Sequence, residues 1–494
     1  MIDQSDFTEA EERSYSWRFS WAVIFVSTAQ FLVRGLGLIT IPIKTKVLGV
    51  VDYGIYSQIL VTVGLIAPFA QLGLGTAMRR FLPGEKDTDK VRNDFWGVVA
   101  LVLFNGLVLS AGLYFLSPYI VAHIFKVDKA VTLLQIAVLL VPVTTLNMIS
   151  LQYFVTFEQS KKYMFLFTSQ SVIEVGLIAY FLLGKGEGIL ALIIISLATT
   201  GLITVIGIFI IGRQLRPCLP RFDNIKPYLQ LSFPLFLSSF GIWMIHSGDR
   251  YVIGYFRDME SVGVYSAAYA FCEVIIALAG PLSFVLLPAV SRFWDNGDVE
   301  KARNYLEYAL RYFLLIGIPA TFGLSVLSRD ILSVLTTTDF ASGWYVIPII
   351  TSSILIFQGS YFASYILILT RNTGVMLKIT IFVALENLIL NIILVPPLGI
   401  LGAAIGTFIT YITFALFIWK TSTKYLKMSL HYSPIVKSII ASLLMSAGIY
   451  FLNIGGIPGL LITVVVGLVI YSVALFGLKG ISLGEIRQLL ERRS

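Results

Sequence analysis

Charge is scarce in this chain, and so is cysteine. Of its 494 residues 13% are Asp, Glu, Lys or Arg, against roughly 25% in soluble domains. That poverty, beside 57% hydrophobic residues, excludes a water-soluble globular protein and leaves a bilayer as the solvent. Two cysteines, Cys218 and Cys272, stand far apart and outside any CxxC or Cys/His spacing, which excludes a disulfide framework and a zinc site. Three histidines, His123, His246 and His431, fall on distant segments and make no metal set. GKGEG at 184–188 lacks the spacing and the Lys-Ser/Thr ending of a phosphate-binding loop, so it reads as a turn. No cofactor is expected. The opening MIDQSDFTEAEERSYSW is acidic rather than a basic stretch feeding a cleavable apolar core, so no signal peptide is expected either.

What is abundant is apolar sequence in runs of about twenty residues, the length that crosses ~30 Å of hydrocarbon at 1.5 Å per residue. The runs predict an all-α polytopic membrane protein with about fourteen spans. They lie at 19–43, 54–78, 96–119, 131–155, 164–183, 188–211, 228–254, 262–288, 308–327, 344–369, 375–395, 399–419, 435–453 and 458–477. NGDVEKARNYLEYALRY (296–312) reads as a charged amphipathic helix on the cytoplasmic surface, a solvated lobe connector rather than a partner site.

The net charge of +8 is an orientation signal rather than a nucleic-acid footprint, since the basic residues sit in interhelical loops. With the N-terminus inside, cytoplasmic segments hold 27 of the 36 Lys and Arg, outer segments hold 8, and Arg34 lies within the first span. Both termini are therefore expected in the cytoplasm, with membrane lipids as contacts and no nucleic-acid partner.

Laid over itself, the chain repeats with an offset of about 210 residues. LGVVDYGIYS (48–57) resembles IGYFRDMESVGVYS (253–266), and KVRND (90–94) resembles KARNY (301–305). Pro68 matches Pro281, Arg80-Phe81 matches Arg292-Phe293, Glu174 pairs with Glu386, and Gly-Ile-Leu recurs at 188–190 and 399–401. Six spans per repeat, an even number, make the two units parallel. The expected organisation is a cytoplasmic segment 1–18, an N-lobe 19–212, a linker 213–227, a C-lobe 228–420, a loop 421–434, two extra spans within 435–478, and a tail 479–494. Two pseudo-symmetric lobes suggest a cavity between them that opens alternately to each side.

Ionisable groups inside spans cost about 2.5–3.5 kcal/mol each, which makes each of them a site candidate. Arg34 lies near the middle of span 1, with Gly35 and Gly37 admitting a close neighbour and Pro42 able to kink the outer end. Lys44 and Lys46 at the outer end of span 1, and Asp249-Arg250 closing span 7, place cations where a pyrophosphate would need them. Salt bridging and snorkelling are the structural alternatives. Glu174, Glu273 and Glu386 invite an ion-coupling role, against simple hydrogen bonding to nearby Asn, Gln or Tyr, with Asn387 and Asn391 adjacent to the last.

RGLGLITIPIKTKVLGVVDYGIYS, GDRYVIGYFRDMESVGVYSAAYAF and PLGILGAAIGTFI together resemble the polysaccharide exporters and lipid-linked oligosaccharide (O-antigen type) flippases of the multidrug/oligosaccharidyl-lipid/polysaccharide exporter superfamily. The resemblance implies a flippase, not an enzyme, carrying a polyprenyl-pyrophosphate-linked sugar to the outer leaflet, with polysaccharide-assembly proteins as partners. It also implies a richly cationic cavity, from which this chain departs: Arg34 is the one Lys or Arg placed well inside a span, with Arg371 and Lys378 near span ends. A cation-coupled multidrug exporter and a non-transporting scaffold for glycan assembly are the alternatives. The charge count itself is testable: a fluorescent reporter fused after Ser494 should light up in the cytoplasm, and a periplasmic enzyme reporter there should stay inactive.

Overall fold

Peptide groups in hydrocarbon have only each other to bond, so long apolar runs resolve into helices. The computed structural model describes residues 9–222, 225–429, 432–452 and 455–480, with side chains over the same residues except 9–27, 281 and 283–285. The first eight residues, His431 and residues 481–494 of the expected tail lie outside the described residues, as does the side chain of Pro281. Among the described residues every regular element is a helix.

The first two crossings form one rod, α1 (Glu9–Gln71), bent at Gly49 rather than at Pro42. Gly49 adopts φ 73° and ψ 178°, a conformation that a residue with a Cβ avoids. Leu72 and Gly73, both at positive φ, end that rod before α2 (Leu74–Phe81). The first half continues through α3 (Thr88–Ile120), α4 (Ala130–Ala137), α5 (Leu140–Thr156), α6 (Ser160–Ile178) and α7 (Ile189–Gln214). The second half runs through α8 (Ile225–Ser247), α9 (Asp249–Phe256), α10 (Met259–Cys272), α11 (Val274–Asp295), α12 (Val299–Val326) and α13 (Ser328–Leu335), then α14 (Val346–Leu369), α15 (Thr373–Leu398) and α16 (Ile400–Ser422). Two further helices follow, α17 (Tyr432–Tyr450) and α18 (Gly456–Gly477).

Thirteen described stretches are long and apolar enough to cross a membrane. The first, Thr28–Gln71, has 44 residues, about 66 Å of helix and twice the hydrocarbon thickness. Its bend at Gly49 divides it into two crossings, which yields the fourteen expected. Two local expectations are revised. The surface helix at 296–312 and the ninth span are one continuous helix, α12, because nothing between Val299 and Val326 breaks the backbone and Pro319 is accommodated within it. Span 8 is interrupted, with α10 ending at Cys272 and α11 beginning at Val274.

Contacts divide the chain into two units. The first takes in the chain up to Thr40, Thr62–Tyr119 and Val131–Ser239. Its core packs Leu74, Met78, Phe95, Val98, Val102, Ile149, Phe154 and Ile203. Large apolar side chains such as Phe104, Phe115 and Val205 stand exposed, a liability in water but the ordinary surface of a helix facing lipid. The second unit takes in Ile41–Val61, Ile120–Ala130 and the chain from Phe240 onward, so the corner between spans 1 and 2 belongs with it. Within this unit α15 and α16 form a tight hairpin. Gly399 turns it at φ 61°, and at Gly402 a Cβ would stand 2.2 Å from the Leu394 carbonyl oxygen.

The last two helices dock on α12 through Leu315, Ala441, Met445, Tyr471 and Leu475. The Tyr471 hydroxyl donates to the Leu315 carbonyl at 2.6 Å and meets the Ser438 hydroxyl at 2.9 Å. Tyr471→Phe should therefore lower stability by about 1 kcal/mol, read as an earlier thermal unfolding midpoint in detergent with helix content unchanged.

Candidate functional site

In the first unit, Arg34 lies on α1 as an exposed side chain with no ion pair or hydrogen bond among the described residues. Gly35 and Gly37, expected to admit a neighbouring helix, have open space where a Cβ would stand. Deeper in this unit several polar side chains bond one another, although Asn147 Oδ1 and Thr168 Oγ1 are buried without partners. Asn147 donates to Gln170 at 2.9 Å, Gln170 donates to Thr200 at 3.1 Å, and Glu174 accepts from the Ser196 hydroxyl at 2.9 Å. Glu174 thus has a partner on the following span of its own unit.

In the second unit Lys44, Lys46 and Arg250 are engaged, whereas Arg371 and Lys378 are exposed. Lys44 stands 5.2 Å from the centre of the Tyr56 ring. Lys46 donates to the Val334 carbonyl at 2.9 Å, in the last turn of α13, where unpaired carbonyls carry negative partial charge. Asp249 and Arg250 form a buried pair at 2.9 Å, 0% and 7% exposed. Asp249 also accepts from the Tyr265 hydroxyl at 2.5 Å, while Arg250 donates to the His246 carbonyl at 2.8 Å and lies 4.5 Å from the centre of the Tyr269 ring. His246 Nδ1 meets the Tyr411 hydroxyl at 2.6 Å and that of Tyr269 at 3.3 Å. One cluster therefore ties together α8, α9, α10 and α16. Asp249, Arg250 and the three tyrosines in it are buried, and each ionised group has an opposite or polar partner.

Glu273 occupies the break between α10 and α11, an exposed residue within electrostatic reach of Arg250, Tyr53 and Tyr269. Glu386 accepts from the Thr413 hydroxyl at 2.9 Å through Oε1, and its Oε2 is buried without a partner. Its sequence neighbours bond elsewhere: Asn387 donates to Thr410 at 3.3 Å and Asn391 to the Asn387 carbonyl at 2.8 Å. Asn391 Oδ1 and Thr407 Oγ1 are buried without partners. Among the described residues no group of His, Cys, Asp and Glu is arranged to hold a metal ion.

The structure thus brings Asp249 and Arg250 together, with Glu273 within electrostatic reach, and adds His246, Tyr265, Tyr269 and Tyr411. The tyrosines were not among the expected site residues, although a signal existed. His246 and Arg250, like Tyr265 and Tyr269, are four apart and so share a helix face. Removing one charge strands the other. Asp249→Asn should cost about 3–5 kcal/mol, and the double variant Asp249→Asn with Arg250→Met should recover part of that loss in thermal unfolding.

The comparisons with known proteins agree on the architecture. The family described as polysaccharide biosynthesis protein matches residues 21–294, and the MatE family matches residues 234–393. A protein of Haloferax volcanii named as the probable low-salt glycan biosynthesis flippase Agl15 is 23% identical over 258 residues, 51% of this chain and 54% of its own. The succinoglycan biosynthesis transport protein ExoT of Rhizobium meliloti is 23% identical over 322 residues, 65% of this chain and 63% of its own. The chain thus spans about half the length of the first and under two thirds of the second. Among solved structures, the lipid II flippase MurJ in an inward closed conformation superposes with a TM-score of 0.76 at 20% identity, covering 92% of this chain and 98% of that one. An inward-facing multidrug resistance transporter of the MATE family superposes with 0.62 at 16% identity, covering 83% and 99%. At these identities the structures show the fold alone.

Proposed function

We propose that this chain, which belongs to the polysaccharide biosynthesis protein family, is an alternating-access flippase that moves a polyprenyl-pyrophosphate-linked oligosaccharide from the cytoplasmic to the outer leaflet. Arg34 carries the reading. A guanidinium within a membrane span, without a protein partner among the described residues, calls for an anion, and a diphosphate accepts two parallel hydrogen bonds from it. Three of the other expected cations are occupied, Lys44 by the Tyr56 ring, Lys46 by the Val334 carbonyl and Arg250 by Asp249, while Arg371 and Lys378 stand exposed near span ends. Diphosphate recognition therefore falls first to Arg34. The relatives named as a glycan flippase and a succinoglycan transport protein support a sugar-linked lipid as cargo.

In this reading the lobes span 19–212 and 228–420, with 435–478 appended, both termini lie in the cytoplasm, and the protein resides in the cell membrane. Glu386, with one carboxyl oxygen bonded and the other orphaned, is the leading coupling residue, followed by Glu174 and Glu273. A polar orphan in a span is stabilised by a bound proton or cation. The match of residues 234–393 to the MatE family supports the second reading, export of organic cations.

Liposomes holding the protein and a labelled polyprenyl-pyrophosphate oligosaccharide test the two. Protein-containing vesicles should expose the label on the opposite leaflet faster than empty ones, and equal rates would discard the flippase. Arg34→Ala should slow flipping about tenfold, and Arg34→Lys less, because the charge stays while the planar fork is lost. Glu386→Gln should remove any stimulation by an imposed proton gradient. A fluorescent organic cation extruded by the same vesicles, with no sugar-lipid movement, would favour the second reading.

A further inference from the structure

Two matching motifs, VVDYGIYS (50–57) and MESVGVYS (259–266), align without a gap, and both lie in the second unit. Their glycines meet each other's backbone. A Cβ on Gly54 would stand 1.9 Å from the Met259 carbonyl oxygen and 2.9 Å from the Gly263 nitrogen. A Cβ on Gly263 would stand 2.1 Å from the Val50 carbonyl oxygen and 3.2 Å from the Gly54 nitrogen. Val50 and Met259 are themselves equivalent, each four residues before its own glycine. The contact therefore maps onto itself when the two halves of the chain are exchanged.

Only hydrogen fits at either position, and what holds the two helices there is backbone packing with weak Cα–H···O contacts. The polar ties around it are exposed. Asp52 pairs with Lys129 at 2.5 Å, and Lys126 donates to the carbonyls of Tyr255 at 2.6 Å and Arg257 at 3.1 Å. Water competes readily for such bonds. Among the described residues no hydrogen bond or ion pair joins the two motifs, in contrast to the buried Asp249–Arg250–Tyr265 cluster nearby on α9 and α10.

We propose that the reciprocal contact of Gly54 and Gly263 is a reversible seal on the outer side of the protein, closed while cargo loads from the cytoplasm and parted once per cycle to release it. The proposal rests on the flippase reading and on the inside placement of both termini. Any side chain at either glycine props the seal open.

Ser266, one turn beyond Gly263 and 4% exposed, supplies the reporter. In a chain with Cys218→Ala, Cys272→Ala and Ser266→Cys, labelling by an impermeant maleimide added outside should be slow. Adding Gly54→Val or Gly263→Val should raise the initial rate at least about fivefold by shifting the population towards the open state. Gly112→Val, where a Cβ meets open space, should leave it unchanged. Gly54→Ala and Gly263→Ala carry the same test with one methyl each and serve if the valine variants fail to reach the membrane. Unchanged labelling in the variants that do reach it would overturn the proposal. Faster labelling in a protein whose parent moves no sugar-lipid would uphold the seal and reject the cargo, so the two readings fail separately.

Discussion

A polar group in hydrocarbon has no water to fall back on, and the molecule is organised around that demand. Helices satisfy the backbone. Hydroxyls bend back to the preceding turn, as Thr45, Thr145, Thr199 and Thr351 do toward the carbonyl four residues earlier. Ionised groups obey the same rule with stronger partners: Asp249 has an arginine and a tyrosine, and Lys46 has a helix end. Arg34 and the orphaned Glu386 Oε2 are two of the places where the rule is left open, and such places are where function can enter.

The two units meet the demand differently. The first uses amides and hydroxyls, with Asn147, Gln170 and Thr200 in series, and leaves Arg34 exposed on α1. The second buries an ion pair among aromatic rings. Such a polar interior tolerates small helix shifts where amides and hydroxyls line it, because they exchange partners cheaply. An ion pair in low dielectric does not, since separating it strands both charges. Motion is therefore easier at exposed contacts such as Asp52–Lys129 than through the buried cluster.

Helix number and fold class were legible because apolar run length maps directly onto bilayer thickness. Continuity was not. Hydropathy reports how apolar a segment is, and it cannot distinguish a rod bent at Gly49 from two separate helices, or foresee that the charged start of α12 flows into a span. Glu273 was visible as a carboxylate in an apolar run, but the helix break it occupies depends on packing around α10 and α11. Arg250 reads in sequence as a free cation at the end of a span. Its charge partner Asp249 is adjacent in sequence, but the rings of Tyr265 and Tyr269 that also flank it come from another helix and carry no charge signature.

The manner in which the final two helices attach sets them apart from the rest of the second unit. α17 and α18 settle on α12 through a small apolar patch and one tyrosine, while the loop before them is clipped to the same helix where Glu307 accepts from the Ser429 backbone at 2.6 Å. α12 hosts most of the addition, and α18 also touches α13. Such an appendage could be lengthened or shed at the cost of that patch, one hydroxyl and one loop contact, which makes it the least entangled part of the second unit.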